Sequence, residues 1–386
     1  MGQRGLCTCG YLPEIRCSHL DSIPEFSSVA GSIYGGLDLS AQNITKVPEG
    51  AFAGLLVRRI VINFNPIGDG LTSRSFRGLE RILGELYAAG CGLSKLPVGL
   101  LRGMTQLNRL HLWANQIEAI PPRFFESCSG LRELSMWGNI LEELEDDSLF
   151  GLSRLTVLDL ENNRIRKLHP SFFRHLPDLR CLRLSRNKIH AVYEQNFAIL
   201  PNLRVLDLDR NGIGFIYREA FQGLGQLRSL SLRGNLIDYL PDDVFSPLNR
   251  LETLDLRQNR MTLAWEMTFS GLSSLTRMYL SQNRLTELNE GLFRRSRHLA
   301  HLALEGNLIE RIHPCVLSRR TFLVTVSLVS NPMRCGCQPT AAFRLRPGSV
   351  VWGTCERRQE IRRTPEVRNA TDGEEECEEG ADECRI

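Results

Sequence analysis

Apolar and polar positions recur along this chain with a period of 24 residues, and each period reads L-x-x-L-x-L-x-x-N-x-L/I. Counted from the first leucine, units start at Leu107, Leu131, Leu155, Leu179, Leu203, Leu227, Leu251, Leu275, Leu299 and Leu323 in unbroken register. Looser units start at Tyr34, Val57 and Leu83, with spacings of 23, 26 and 24 residues. In L-x-x-L-x-L the last two leucines alternate with polar residues, as in Leu158-Asp159-Leu160 and Leu206-Asp207-Leu208. That alternation predicts a short strand with one apolar and one solvated face. A strand of three or four residues cannot bury its leucines alone, so successive units must stack in parallel around a shared core. Such a period excludes the core of a globular enzyme.

Two further columns follow from the period. Asparagine closes the strand at Asn65, Asn115, Asn139, Asn163, Asn187, Asn211, Asn235, Asn259, Asn283, Asn307 and Asn331, with Gln42 and Cys91 interrupting. A carboxamide offers both donors and an acceptor, so stacked asparagines can satisfy backbone groups where the chain leaves the strand. Eighteen residues after the first leucine stand Phe52, Phe125, Phe173, Phe197, Phe221, Phe245, Phe269 and Phe293, with Leu101, Leu149 and Leu317 elsewhere. An aromatic stripe can stack ligands, but one that recurs with the repeat reads as a core spine, each ring contributing about 2–3 kcal/mol on burial.

These features resemble the typical extracellular leucine-rich repeat proteins. The resemblance implies an α/β repeat solenoid of horseshoe form, with a parallel sheet on the concave face, irregular or short helical segments on the convex side, and disulfide caps at both ends. The expected layout is a cysteine-rich N-terminal cap at residues 1–33, thirteen repeats at 34–333, a C-terminal cap at 334–377 and an acidic tail at 378–386.

Eight of the twelve cysteines cluster at the two ends, and the clusters suit small caps over the exposed ends of a solenoid core. Asn331-Pro332-Met333-Arg334-Cys335-Gly336-Cys337, then Cys355 and Cys377, resembles the family's C-terminal cap. The resemblance implies the pairs Cys335–Cys355 and Cys337–Cys377, although Met333 and Gly336 stand where the family usually has tryptophan and aspartate. Cys7-x-Cys9 and Cys17 resemble the matching front cap, with Cys7 and Cys17 as disulfide residues. Its usual upstream cysteine, the partner expected for Cys9, is missing, and no apolar signal segment follows Met1. We therefore expect Met1 to lie inside a longer precursor. Zinc is the competing reading of C-x-C. Cys91 and Cys128 read as small buried hydrophobes. Cys181 falls on the concave edge, where a thiol is accessible, and Cys315 and Cys384 are available to pair.

Apolar content of 42% and charged content of 24% are those of a folded protein. No run of eighteen apolar residues or lipid-anchor tail predicts membrane insertion. The sequons at Asn43 and Asn369 suit a secreted glycoprotein. The net charge of +3 is unevenly placed, with eight acidic residues against Arg385 from Asp372 onward.

Residues four and six after each first leucine point out of the concave face. In the early repeats they bring together Tyr87, His111, Trp113 and Trp137, with Phe64 one position further on in its unit. Exposed tryptophans are enriched in binding hot spots, which makes this a candidate partner site. The alternative is that the rings shield the strand leucines from water. Further along, Asp159 and Glu161, Arg183, Asp207 and Asp209, Arg233, and Asp255 with Arg257 alternate in sign. They read either as a self-paired ladder or as complementary to a mixed-charge protein. A mixed face is poorly suited to a polyanion, so nucleic acid is not expected there. Arg344, Arg346, Arg357, Arg358, Arg362, Arg363 and Arg368 form a candidate site for sulfated glycans or acidic proteins, which the acidic tail is placed to neutralise.

No nucleophile elbow, zinc-protease motif, phosphate loop or dinucleotide fingerprint occurs, and the eight histidines are scattered. No catalytic residue, cofactor or metal is expected. The expected function is extracellular protein–protein recognition by a secreted ligand, adhesion molecule or receptor ectodomain, as in the chaoptin, Slit and Nogo-receptor families. The alternatives are a structural or carrier role, as a matrix protein or scaffold subunit, and innate immune recognition of microbial surfaces.

Overall fold

The computed structural model describes residues 6–9, 14–26, 33–264, 266–313, 316, 322–333 and 350–352. It is a parallel-strand solenoid of about thirteen turns with almost no helix. The fold falls into two compact units, residues 1–189 with 199–203, and residues 190–198 with 204–386.

In the first unit the repeat strands include Arg59–Val61, Glu85–Tyr87, Arg109–His111, Glu133–Ser135, Val157–Asp159 and Cys181–Arg183. They pair in chain order, so that Leu86, Leu110, Leu134, Leu158 and Leu182 stand directly opposite one another, all buried. Leu6–Cys9 and Glu14–Ser18 form an antiparallel pair in front, closed by a Cys7–Cys17 disulfide across opposed positions. Glu14–Ser18 then joins Gly36–Asp38 in parallel. In the second unit the repeat strands run in the same register from Val205–Asp207 to Thr325–Ser327, and Val350–Trp352 adds one more parallel strand. The remaining C-terminal cap residues lie outside the described residues, as do Cys315, Cys335, Cys337, Cys355, Cys377 and Cys384.

The asparagine column satisfies the backbone as its chemistry predicts. The Asn139 Nδ2 donates to the carbonyls of Leu112 at 3.0 Å and Met136 at 2.9 Å, while its Oδ1 accepts the Ile117 N–H at 3.0 Å. The two interruptions keep part of this pattern. Gln42 Oε1 accepts the Leu20 N–H at 3.0 Å. Cys91 is more than the buried hydrophobe expected: its thiol donates to the Ile62 carbonyl at 3.2 Å, keeping the donor half of the asparagine role. A thiol cannot replace the carboxamide oxygen: the Ile67 N–H that it would serve turns to the Asn65 carbonyl at 2.8 Å, and the Gly68 N–H adds a bond to the Cys91 carbonyl at 2.9 Å. The longer 26-residue unit supplies that extra turn.

One further regularity goes beyond the hydrophobic period. The residue before each asparagine position has positive φ in all thirteen repeats, between 51° and 71°, yet only Gly90, Gly138, Gly234 and Gly306 are glycine. Its N–H extends the bonding between turns, as in Ala114 N–H to Trp137 O at 2.9 Å. An L side chain there costs roughly 1–2 kcal/mol, which the bonds on either side offset.

The phenylalanine spine is buried and stacked. Phe221, Phe245, Phe269 and Phe293 succeed one another with centroids 5.8, 6.3 and 6.2 Å apart. In the 26-residue unit the eighteenth position holds Ser75, and the ring arrives one residue later as Phe76, stacked on Phe52 at 5.8 Å. Leu101 and Leu149 fill the same buried place elsewhere.

Candidate functional site

In the first unit Tyr87, His111, Trp113 and Trp137 stand on the solvated face of the sheet, because their positions alternate with buried apolar residues. Trp113 and Trp137 stack with centroids 5.2 Å apart and planes 7° from parallel. Phe64 meets the edge of Trp113 at 5.6 Å. Beside them Tyr87 and His111 stack at 4.7 Å. The five rings named by the sequence thus form two adjoining stacks.

Phe64 explains how the ridge is held. It occupies the positive-φ position at 57°, where a bulky residue is an outlier, and it is 55% exposed. Its ring lies over Gly90: a Cβ built there would stand 2.6 Å from the ring. Glycine at 90 therefore leaves the space that Phe64 fills. Trp137 is 38% exposed, while Trp113, between Phe64 and Trp137, is half-buried.

Charges frame the rings. Arg109 bridges Glu85 at 2.9 Å and Glu133 at 3.4 Å, and the Glu85 carboxylate holds its pKa above the ordinary value. The Tyr87 hydroxyl donates to Glu85 at 3.1 Å, and burial, reinforced by that carboxylate, raises its pKa. His111 Nε2 is buried without a hydrogen-bond partner, 3.4 Å from Glu133. Burial lowers the His111 pKa despite this carboxylate, which favours the neutral ring. A shallow hollow of about 180 Å³ opens beside the stack, lined by His111, Trp113, Ser135 and Trp137 and closed by the Asp159–Arg183 pair at 3.7 Å. Arg186 reaches Glu161 at 3.5 Å.

In the second unit the sign alternation does not give a cross-strand ladder. Arg257 pairs with Asp255 of its own repeat, and Arg233 Nε donates to Gln258 at 3.0 Å. Asp207 accepts the Asp209 N–H at 3.0 Å. Asp209 accepts the Ser231 hydroxyl and the Arg233 N–H. Burial, opposed by the Ser231 bond and reinforced by Asp207, raises the Asp209 pKa to about 6. An unfolded aspartate titrates near ~3.9. Between those values the folded chain holds an extra proton, so stability falls as pH rises through that window. Asp209→Asn keeps both accepted bonds and removes the charge. It is expected to raise the unfolding free energy at pH 7.5 by about 1 kcal/mol after solvent screening, and to change nothing near pH 3. Urea unfolding at both pH values measures this, and a destabilised variant at pH 7.5 would contradict it.

Asn43 is exposed, its amide nitrogen 3.2 Å from Asp21. Cys128 is buried, which pushes its thiol up to about 12, and Cys181 is half-buried in its strand. Arg344, Arg346, Arg357, Arg358, Arg362, Arg363, Arg368 and Asn369 lie outside the described residues. Among the described residues, no histidine, cysteine and carboxylate cluster could hold a metal ion, and no helix is long and apolar enough to cross a membrane.

Stacked parallel turns with an asparagine column and a buried aromatic spine define a repeat solenoid, here with aromatic rings on its open strand face. The leucine-rich repeat family model matches residues 105–165, 153–213, 201–261 and 266–332, more than half of the chain. The chain belongs to the leucine-rich repeat family. Podocan-like protein 1 of Mus musculus is 34% identical over 97 residues, 25% of this chain and 17% of that protein's length. Three solved structures share the fold. The TLR13 complex with single-stranded RNA aligns with 81% of this chain and 57% of its own, at TM-score 0.58 and 21% identity. The Drosophila Toll–Spatzle complex aligns over 83% and 52%, at 0.56 and 22%. A leucine-rich repeat protein of Leptospira interrogans aligns over 82% and 89%, at 0.53 and 21%. One of these proteins is in complex with RNA, so the expected exclusion of nucleic acid rests on the mixed charge of this face and not on the fold.

Proposed function

We propose that the chain is an extracellular protein-recognition module, without catalysis, that docks a protein partner on the ridge formed by Phe64, Trp113 and Trp137 and the adjoining Tyr87–His111 stack. The observation that carries this reading is the Trp113–Trp137 stack, exposed at one end and continued by Phe64 at a strained backbone position. Rigid, preorganised aromatic rings beside a hollow are what binding hot spots are made of. The polar border of Asp159, Glu161 and Arg183 supplies specificity and on-rate. A disulfide at Cys7–Cys17 supports an oxidising compartment, and the exposed Asn43 sequon agrees with it.

The test starts with affinity capture of partners on the immobilised, disulfide-bonded chain. Trp113→Ser combined with Trp137→Ser is then expected to weaken the captured partner about 100-fold while leaving the thermal midpoint unchanged. Loss of both binding and thermal stability would instead make the rings a shield over the strand leucines.

A further inference from the structure

A second apolar surface lies in the unit of residues 190–198 and 204–386, off the main sheet. Ala191–Val192 and Phe215–Ile216 pair in parallel as a separate ladder, which the Tyr217 N–H extends to the Val192 carbonyl at 3.0 Å. Alternation buries Val192 and Ile216 and turns Tyr193, Phe215 and Tyr217 into solvent. Tyr193 and Tyr217 stack at 5.0 Å. The repeat continues the row through Tyr239 and Leu263, each one period further on. Phe215 is 71% and Tyr239 56% exposed. The core of these turns is already filled by the stacked Phe221, Phe245 and Phe269, so packing does not call for the outer row. Large apolar side chains exposed in successive turns mark an interaction site on a soluble surface.

The border of the row is acidic. Glu194, Asp238 and Asp242 are exposed and form no ion pair among the described residues, whereas the nearby Arg218 is engaged by Asp243 at 3.4 Å. We propose that this row is a second docking surface, and that its occupant is a protein segment with aliphatic side chains on one face bordered by lysine or arginine. The aliphatic face covers Phe215 and Tyr239, and the basic border meets the three free carboxylates, which exclude an acidic segment.

Fluorescence anisotropy with a labelled amphipathic peptide of leucine and lysine, and with its leucine–glutamate counterpart, tests this on the full chain. The basic peptide is expected to bind, more weakly at high salt, and the acidic one not to bind. Phe215→Ser with Tyr239→Ser should weaken binding about tenfold. Asp238→Asn with Asp242→Asn, which leaves every apolar contact in place, should weaken it about threefold and flatten the salt dependence. Trp113→Ser with Trp137→Ser should leave it unchanged, which separates this surface from the sheet face. Absence of binding, equal binding by both variant pairs, or preference for the acidic peptide overturns the proposal. So does a dimer in sedimentation that Phe215→Ser with Tyr239→Ser dissolves, since that assigns the row to a second copy of the chain.

Discussion

Asn235→Ala is expected to lower the unfolding free energy by about 3–5 kcal/mol, an effect usually reserved for large core truncations. The Asn235 side chain is almost wholly buried and serves five backbone groups. Its Oδ1 accepts the N–H groups of Asn211, Gly212 and Ile213, each at 3.0 Å. Its Nδ2 donates to the carbonyls of Leu208 at 3.0 Å and Leu232 at 2.9 Å. Each buried group left without a partner costs about 1–3 kcal/mol, reduced where donors shared one oxygen or water enters the gap. Asn235→Asp separates the two halves of the role. The carboxylate keeps the three donors but sets a negative oxygen against two carbonyls, so it should be as damaging as alanine at pH 7. Protonation at low pH restores one donor and should recover part of the loss. Urea unfolding of both variants, with hydrogen exchange at Gly212 and Ile213, measures these effects. A cost below about 1 kcal/mol for alanine would show that the column is dispensable for satisfying the turn.

Position 91 shows why the column was legible and its exception was not. The period marks where a carboxamide belongs, and the chemistry of a carboxamide then implies its partners. At Cys91 the sequence shows a missing asparagine and, separately, a unit two residues too long. Only the folded structure joins them, through the thiol bond to Ile62, the Ile67 N–H turned to the Asn65 carbonyl and the added bond from Gly68 to Cys91. Phe76 has the same origin: the long unit displaces the spine ring by one residue, so counting eighteen lands on Ser75. The face that carries Trp113 and Trp137 could be mapped because alternation on a strand has a fixed period. Their stacking angles and the seat of Phe64 over Gly90 could not, since positive φ at a phenylalanine contradicts local preference and is imposed by the bonds between turns. The Tyr193–Tyr217 flank is not legible in the sequence for another reason. A two-residue ladder has too few positions to show alternation, and its aromatic residues occur in only a few successive repeats.

Phe245→Ala is expected to cost about 3–5 kcal/mol, and its consequences should spread along the stack. Phe245 has an aromatic neighbour on both sides, Phe221 at 5.8 Å and Phe269 at 6.3 Å, and the planes lie within 14° of parallel. Removing the ring opens a cavity that two rigid neighbours cannot close, since each is fixed by its own turn. In a repeat array each turn is stabilised mainly by its neighbours, so the lesion weakens two interfaces at once. Hydrogen-exchange protection should therefore fall over the turns of Phe221, Phe245 and Phe269 together, and the unfolding transition should broaden or split as the array loses cooperativity. Phe245→Leu should cost less, about 1–2 kcal/mol, because Leu101 and Leu149 already occupy the same place in other turns without exposing the core. A loss of protection confined to the turn of Phe245, with a single sharp transition, would mean that the rings act one by one and that the spine is a row of separate plugs.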